Sequence, residues 1–196
     1  MPKVASRLVP RNFYLDPPDV VARKLLGKLL VRPSEGMAGR IVEVEAYFGE
    51  LDPASHSFNG KTARNAVMFG PPGHAYVYFI YGMHYCLNVS CQPIGTASGI
   101  LFRALEPLRG LESMPKNATI GPGRLCKAFG VTRARDNGAD FTSGSSDLQI
   151  RDDGFVSEKI LVTPRIGLTK AAEHPARFLL AGNPYVSGKK INIPKP

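Results

Sequence analysis

A chain of 196 residues, 43% hydrophobic and 21% charged, is long enough to bury a core without disulfides or metal clips. Three cysteines without a C-x-x-C pair exclude a disulfide framework and a zinc ribbon, and no apolar run opens the chain as a signal or reaches membrane-spanning length. The net charge of +9 favours a polyanionic partner.

Asp16-Pro17-Pro18 predicts a helix start with Asp16 as cap, Val20, Val21, Leu25 and Leu26 as the buried stripe, and Gly27 as the stop. Residues 28–32 read as a strand, 33–39 as a turn, and 40–48 as a second strand. In that strand Val42, Val44 and Ala46 alternate with Glu43, Glu45 and Tyr47, so two carboxylates and a phenol share one face. Residues 50–63 are polar and irregular; 63–69 predict a short helix halted by Gly70-Pro71-Pro72-Gly73. Residues 74–92 predict a hairpin turning at Tyr81-Gly82-Met83, and 99–105 another strand. A short helix is expected over 107–114, and a longer one after Gly121-Pro122-Gly123-Arg124. An exposed loop is expected over 133–146, then short strands near 147–151, 159–166 and 178–180, and a frayed tail over 189–196.

Strands and helices do not alternate in a βαβ rhythm, and neither a repeat nor a composition break divides the chain. The expectation is an α+β fold in a single domain, 1–196, with a curved, mostly antiparallel sheet, a protruding hairpin and flanking short helices.

Glu45 is the first candidate for chemistry. A carboxylate beside aromatic rings is partly desolvated, which suits a general base, although a solvated carboxylate on an edge strand has the same spacing. Glu43 is either the second member of a carboxylate pair or a salt-bridge partner. Tyr76 and Tyr78 fit strand propensity or base stacking equally, whereas Tyr81 at a turn has little to pack against and suits a wedge between bases. His56 either stacks on a base or caps its loop. Asn88, among apolar neighbours, either fixes the sheet or reads a ligand edge. Arg103 interrupts an apolar strand and needs an acidic partner, for which Glu45 or a phosphate would serve. The four histidines lack metal-ligand spacing, and neither a P-loop nor a G-x-G-x-x-G motif occurs, so no metal or cofactor is expected.

These blocks together resemble the alkyladenine (3-methyladenine) DNA glycosylase family. The run V-E-A-Y-x-G, then H-S, then R-N-x-x-M-F is similar, as are Y-V-Y-x-I-Y-G-M, C-x-N-V-S, R-A-L-E-P, G-P-G-R-L-C and the late R-F-x-x-x-G-x-P-x-V-S. The blocks span residues 10 to 187 in family order, with departures at Ala63, Ala66-Val67 and His84. The resemblance implies Glu45 as general base and Arg103 on the site floor. It implies Tyr47, His56 and Tyr78 as walls around a flipped base, and Asn88 crowding the amino group of guanine. Tyr81 would fill the gap in the duplex, with Met83 beside it in the groove. The expected activity is excision of a damaged purine (3-methyladenine, 7-methylguanine, hypoxanthine or ethenoadenine) from double-stranded DNA. The expected enzyme is a monomer in the cytoplasm or nucleoid of a bacterium, or in a nucleus. No lysine in the motif blocks suggests a Schiff-base nucleophile, so hydrolysis without strand cleavage is expected. Two other readings share the acid and the aromatics: a hydrolase of free nucleosides, and a non-catalytic nucleic-acid-binding module.

Overall fold

Alternation along one long strand decides the architecture. The computed structural model describes residues 6–157 and 159–188. The expected frayed tail, 189–196, lies outside the described residues. Among them, nine strands form one curled sheet in which every pairing is antiparallel. They are β1 (Arg7–Leu8), β2 (Leu29–Arg32), β3 (Met37–Tyr47), β4 (Ala75–Ile80), β5 (His84–Cys91), β6 (Ser98–Arg109), β7 (Gln149–Asp152), β8 (Ile160–Thr163) and β9 (Arg177–Leu180). The order is β1-β7-β2-β3-β6-β5-β4, and β9 pairs with both β3 and β8. β3 is therefore central: β6 runs along one side, and β2 and then β9 share the other.

The alternation in β3 sends Val42, Val44 and Ala46 into the main core, with Phe102, Leu87, Val89 and Val77 from neighbouring strands. Helices α1 (Pro18–Leu25) and α2 (Pro122–Ala128) contribute Val21, Ala22, Leu25, Leu125 and Cys126 to the same core. Glu43 and Glu45 point to the opposite face, and both are fully buried. The edge-strand reading of Glu45 is thereby overturned.

Several local expectations need correction. α1 begins at Pro18 with Pro17 in the cap position, so Asp16 stands one residue too early and pairs with Lys24 instead. Val20 faces solvent rather than the core. The helix expected over 107–114 is replaced by a longer β6, which keeps pairing with the start of β3. Pro107 is tolerated there because it lies opposite Gly39 at a register shift. The loop expected over 133–146 holds α3 (Arg133–Asp136), capped by Thr132, whose Oγ1 accepts from the Arg135 amide at 3.2 Å. Phe141 from that segment is fully buried and meets Phe102 edge-on.

The hairpin turn is where expected. Tyr81 and Gly82 have φ of 54° and 66°, the left-handed pair that a type I′ turn requires. No such strain is inherent to glycine, but it is unusual for tyrosine.

Arg32 is fully buried and donates to Phe129 O (2.8 Å), Asp136 (2.9 Å) and Asp147 (3.0 Å), tying β2 to α3. Removing one partner of a buried pair strands the other charge. Arg32→Met is expected to cost about 3–5 kcal/mol in urea denaturation; a change below about 1 kcal/mol would mean that Asp136 finds solvent instead.

Candidate active site

Strand register assembles the site. Glu45 on β3 lies opposite Leu101 on β6, Leu101 opposite Asn88 on β5, and Asn88 opposite Tyr76 on β4. Residues directly opposite share a face, so one row across the sheet carries the carboxylate, the amide and the phenol on the side away from the main core. Two residues further along β3, in the next like-facing row, Tyr47 lies opposite Gly99. Gly99 gives room there: a Cβ would stand 3.1 Å from the Met68 side chain and 3.2 Å from the Val89 carbonyl oxygen.

A cavity of about 130 Å³ opens on this face, lined by Tyr47, His56, Tyr76, Tyr78, Asn88 and Leu168 among others. The His56 and Tyr78 rings meet edge-on with centroids 4.4 Å apart, and Tyr76 and Tyr78 lie 5.5 Å apart. The Tyr76 hydroxyl pairs with His56 Nδ1 at 3.1 Å, so Tyr76 belongs to the site and not only to the strand. Desolvation among these rings, and then the nearby Arg64 charge, push the His56 imidazole below its ordinary value, leaving it neutral near pH 7. Asn88 donates from Nδ2 to the Tyr76 carbonyl at 3.1 Å, which fixes its amide at the cavity wall. Both readings of Asn88 are thus compatible with its position.

Glu45 lies behind Tyr47. Its Oε2 accepts from the Tyr47 hydroxyl at 3.0 Å. Its Oε1 accepts from the Ile166 amide at 2.8 Å and stands 3.0 Å from Arg103 Nη1 as an ion pair. Burial, and then the Glu45 charge, push the Tyr47 phenol far above its ordinary value, so it remains a donor. Arg103 has its acidic partners in Glu43 and Glu45. It occupies a bulge: Glu43 pairs with Ala104 and Val44 with Phe102, which leaves Arg103 as the unpaired residue between them.

The wedge candidates stand apart from the cavity. Tyr81 is 79% and Met83 70% exposed at the hairpin tip.

Several contributors were not read from the sequence. Asn65, buried, donates to the His56 carbonyl (2.9 Å) and the Gly60 carbonyl (3.0 Å), holding the loop that carries His56. Segment 164–168 crosses over the site and supplies the Ile166 amide and Leu168. Arg165 pins that segment down: it grips Asp52 with both terminal nitrogens (2.5 and 2.9 Å), donates to the Ala46 carbonyl (3.0 Å), and lies 4.6 Å over the Tyr47 ring. The signal for Asn65 was its place in the R-N-x-x-M-F block. For Arg165 and Asp52 no local pattern exists, because they are 113 residues apart. Among the described residues no group of three or more His, Cys, Asp or Glu side chains gathers as a metal site, and no helix is long and apolar enough to cross a membrane.

Residues 12–184 match the family model described as methylpurine-DNA glycosylase. A protein of Koribacter versatilis, provisionally named 3-methyladenine DNA glycosylase, is 57% identical over 195 residues, covering 93% of this chain and 94% of its own. A protein of Burkholderia cenocepacia with the same provisional name is 48% identical over 191 residues, 92% of this chain and 91% of its own. One from Methanocella arvoryzae, also so named, is 48% identical over 194 residues, 92% and 96% respectively.

Burial alone would raise the Asp52 carboxyl. Its hydrogen bonds from Arg165 and from the Ala54 and Phe48 amides, with the Arg165 charge, outweigh that and hold it below its ordinary value. A depressed carboxyl stabilises the fold above the unfolded value near 3.8, and that contribution is lost as pH falls through the folded value. Asp52→Asn is therefore expected to lower the urea midpoint at neutral pH and to shrink the midpoint's drop on acidification. An equal drop in variant and parent would contradict the pairing.

Proposed function

Because the chain belongs to the methylpurine-DNA glycosylase family, we propose that its cavity receives a damaged purine turned out of duplex DNA and that Glu45 activates the water that replaces the base. The chain is a DNA-repair glycosylase, a hydrolase of the 3-methyladenine class. The observation that carries the finer reading is the position of Glu45: a fully buried carboxylate one hydrogen bond, through the Tyr47 hydroxyl, from a cavity walled by aromatic rings.

Turning a base out of the stack costs a few kcal/mol. Tyr81 offsets part of that by entering the vacated place, and Met83 contacts the groove beside it. Stacking on Tyr47, His56 and Tyr78 returns about 1–3 kcal/mol. Purines alkylated on a ring nitrogen carry positive charge, which electron-rich ring faces attract and a neutral His56 does not repel. Asn88, held to the Tyr76 carbonyl, is unable to swing aside and crowds the amino group of guanine.

As the glycosidic bond lengthens, positive charge grows on the sugar. Glu45 stabilises it and takes a proton from water, whose oxygen bonds to the anomeric carbon while the base leaves with the bonding pair. Arg103 holds the carboxylate in place from the site floor. The products are the free base and an abasic site. Among the described residues no lysine lines the cavity, which supports hydrolysis rather than a Schiff-base route with strand cleavage. Damaged double-stranded DNA is the partner, bound by a monomer through the positive charge.

Incubation with duplexes that each hold one defined lesion, followed by alkaline cleavage of abasic sites, tests this reading. Glu45→Gln is expected to keep duplex affinity and to slow base release by about 100-fold or more; release at the parental rate would remove Glu45 as base. Tyr81→Ala is expected to slow excision of a paired lesion by about tenfold and to spare a lesion in a mismatch or single strand. Equal slowing of both would remove the wedge.

A further inference from the structure

Glu43 is the hub of a buried polar network beside the proposed base. It is fully buried, and its two oxygens collect four donors. Oε1 accepts from Arg103 Nε (2.8 Å), Arg177 Nε (2.7 Å) and Ser187 Oγ (2.9 Å), and Oε2 from the Ser187 amide (2.5 Å). Arg177 is in turn fixed by Nη2 on the Ser187 carbonyl at 2.7 Å, and Arg103 Nη2 reaches Ser187 Oγ at 3.3 Å. One edge of the Arg103 guanidinium is thus occupied by Glu43 and Ser187, and only Nη1 faces Glu45.

A guanidinium is planar, so fixing its Nε and Nη2 fixes the direction in which Nη1 points. The bulge at Arg103 places that plane between the two glutamates. Without Glu43, Arg103 would have Glu45 as its sole carboxylate and would rotate to grip it bidentately, the geometry that guanidinium and carboxylate prefer. Both Glu45 oxygens would then be engaged by Arg103, and Oε2, which already accepts from the Tyr47 hydroxyl, would have no lone pair left for water.

We infer that Glu43 is a positioning residue for the glycosylase reaction: it turns the Arg103 guanidinium so that Arg103 meets Oε1 of Glu45 and leaves the lone pair of Oε2 that the Tyr47 hydroxyl does not occupy for the attacking water. The inference rests on Glu45 being the base. Glu43 does not line the aromatic-walled cavity and reaches Glu45 through Arg103.

A double-mutant cycle on single-turnover base release separates this role from structural support. Glu43→Gln in the parental protein slows release by about tenfold, within the range for side chains in one salt-bridge network, while affinity for the lesion duplex is unchanged. In an Arg103→Gln background the same substitution produces no further slowing, because the group it positions is gone. Equal slowing in both backgrounds, or none in either, overturns the inference. Glu43→Gln leaves Arg177 without its carboxylate and risks misfolding, so Ser187→Ala serves as the second variant. It removes the hydroxyl shared by Glu43 and Arg103 and keeps every charge. Ser187→Ala is expected to slow release a few-fold in the parental background and not at all beside Arg103→Gln; equal slowing in both again overturns the inference. A parental protein that releases no base from any lesion duplex would instead overturn the glycosylase reading itself.

Discussion

Two carboxylates in the middle of a nine-stranded sheet are the constraint to which the rest of this protein answers. An uncompensated buried charge costs several kcal/mol, and hydrogen bonds alone rarely offset it. Glu43 and Glu45 are compensated by Arg103 and Arg177, and the adjoining Asp52 by Arg165. Three acids thus face three guanidiniums, and the group as a whole is neutral. Arginine suits this task because its planar fork serves two acceptors at once and never loses its proton. A lysine at position 103 would reach one glutamate and leave the other exposed to desolvation.

The partners come from far apart in the chain. Arg103 is 60 residues from Glu43, Arg177 134 and Ser187 144. Each ion pair therefore fixes a segment as well as a charge. Arg165 ties the 164–168 crossover to the loop that begins at Gly49, and that loop itself sits tightly against the sheet. Gly49 has φ of 64°, and a Cβ there would stand 2.6 Å from the Ala97 carbonyl oxygen. The same sheet thus carries an apolar core on one face and an ion-paired polar layer on the other. The cavity lies at the border of that layer, where the aromatic strands of the hairpin begin.

Much of this was legible in the sequence, and the limits have a physical pattern. Period-two alternation gave β3 its two faces, and turn chemistry placed the hairpin at Tyr81-Gly82-Met83, because both signals are local. Glu45, Tyr47, Tyr78 and Asn88 follow from strand register once the strands pair. Burial of the glutamates was not legible, since alternation is the same for an edge and a central strand. The roles of Asp52, Arg165, Arg177 and Ser187 depend on contacts across more than 100 residues or on the closing turns of the chain. Arg177 and Ser187 begin and end the late R-F-x-x-x-G-x-P-x-V-S block, so the motif marked them without saying why. The helix expected over 107–114 and the cap expected at Asp16 both rest on reading proline as a helix start: at 107 pairing with β3 keeps the chain extended, and before α1 the start falls one residue later, with Pro17 in the cap position.

The late arrival of Arg177 and Ser187 has a consequence during protein synthesis. A nascent chain leaves the ribosome from its N-terminus, and strand pairings of high sequence separation are the last to form. Until β9 and the residues after it emerge, Glu43 lacks three of its four donors, and in a polypeptide halted before residue 177 Arg103 alone of those donors faces that acid. Synthesis must therefore run nearly to the end of the described residues before Glu43 acquires its full set of donors and the polar layer closes.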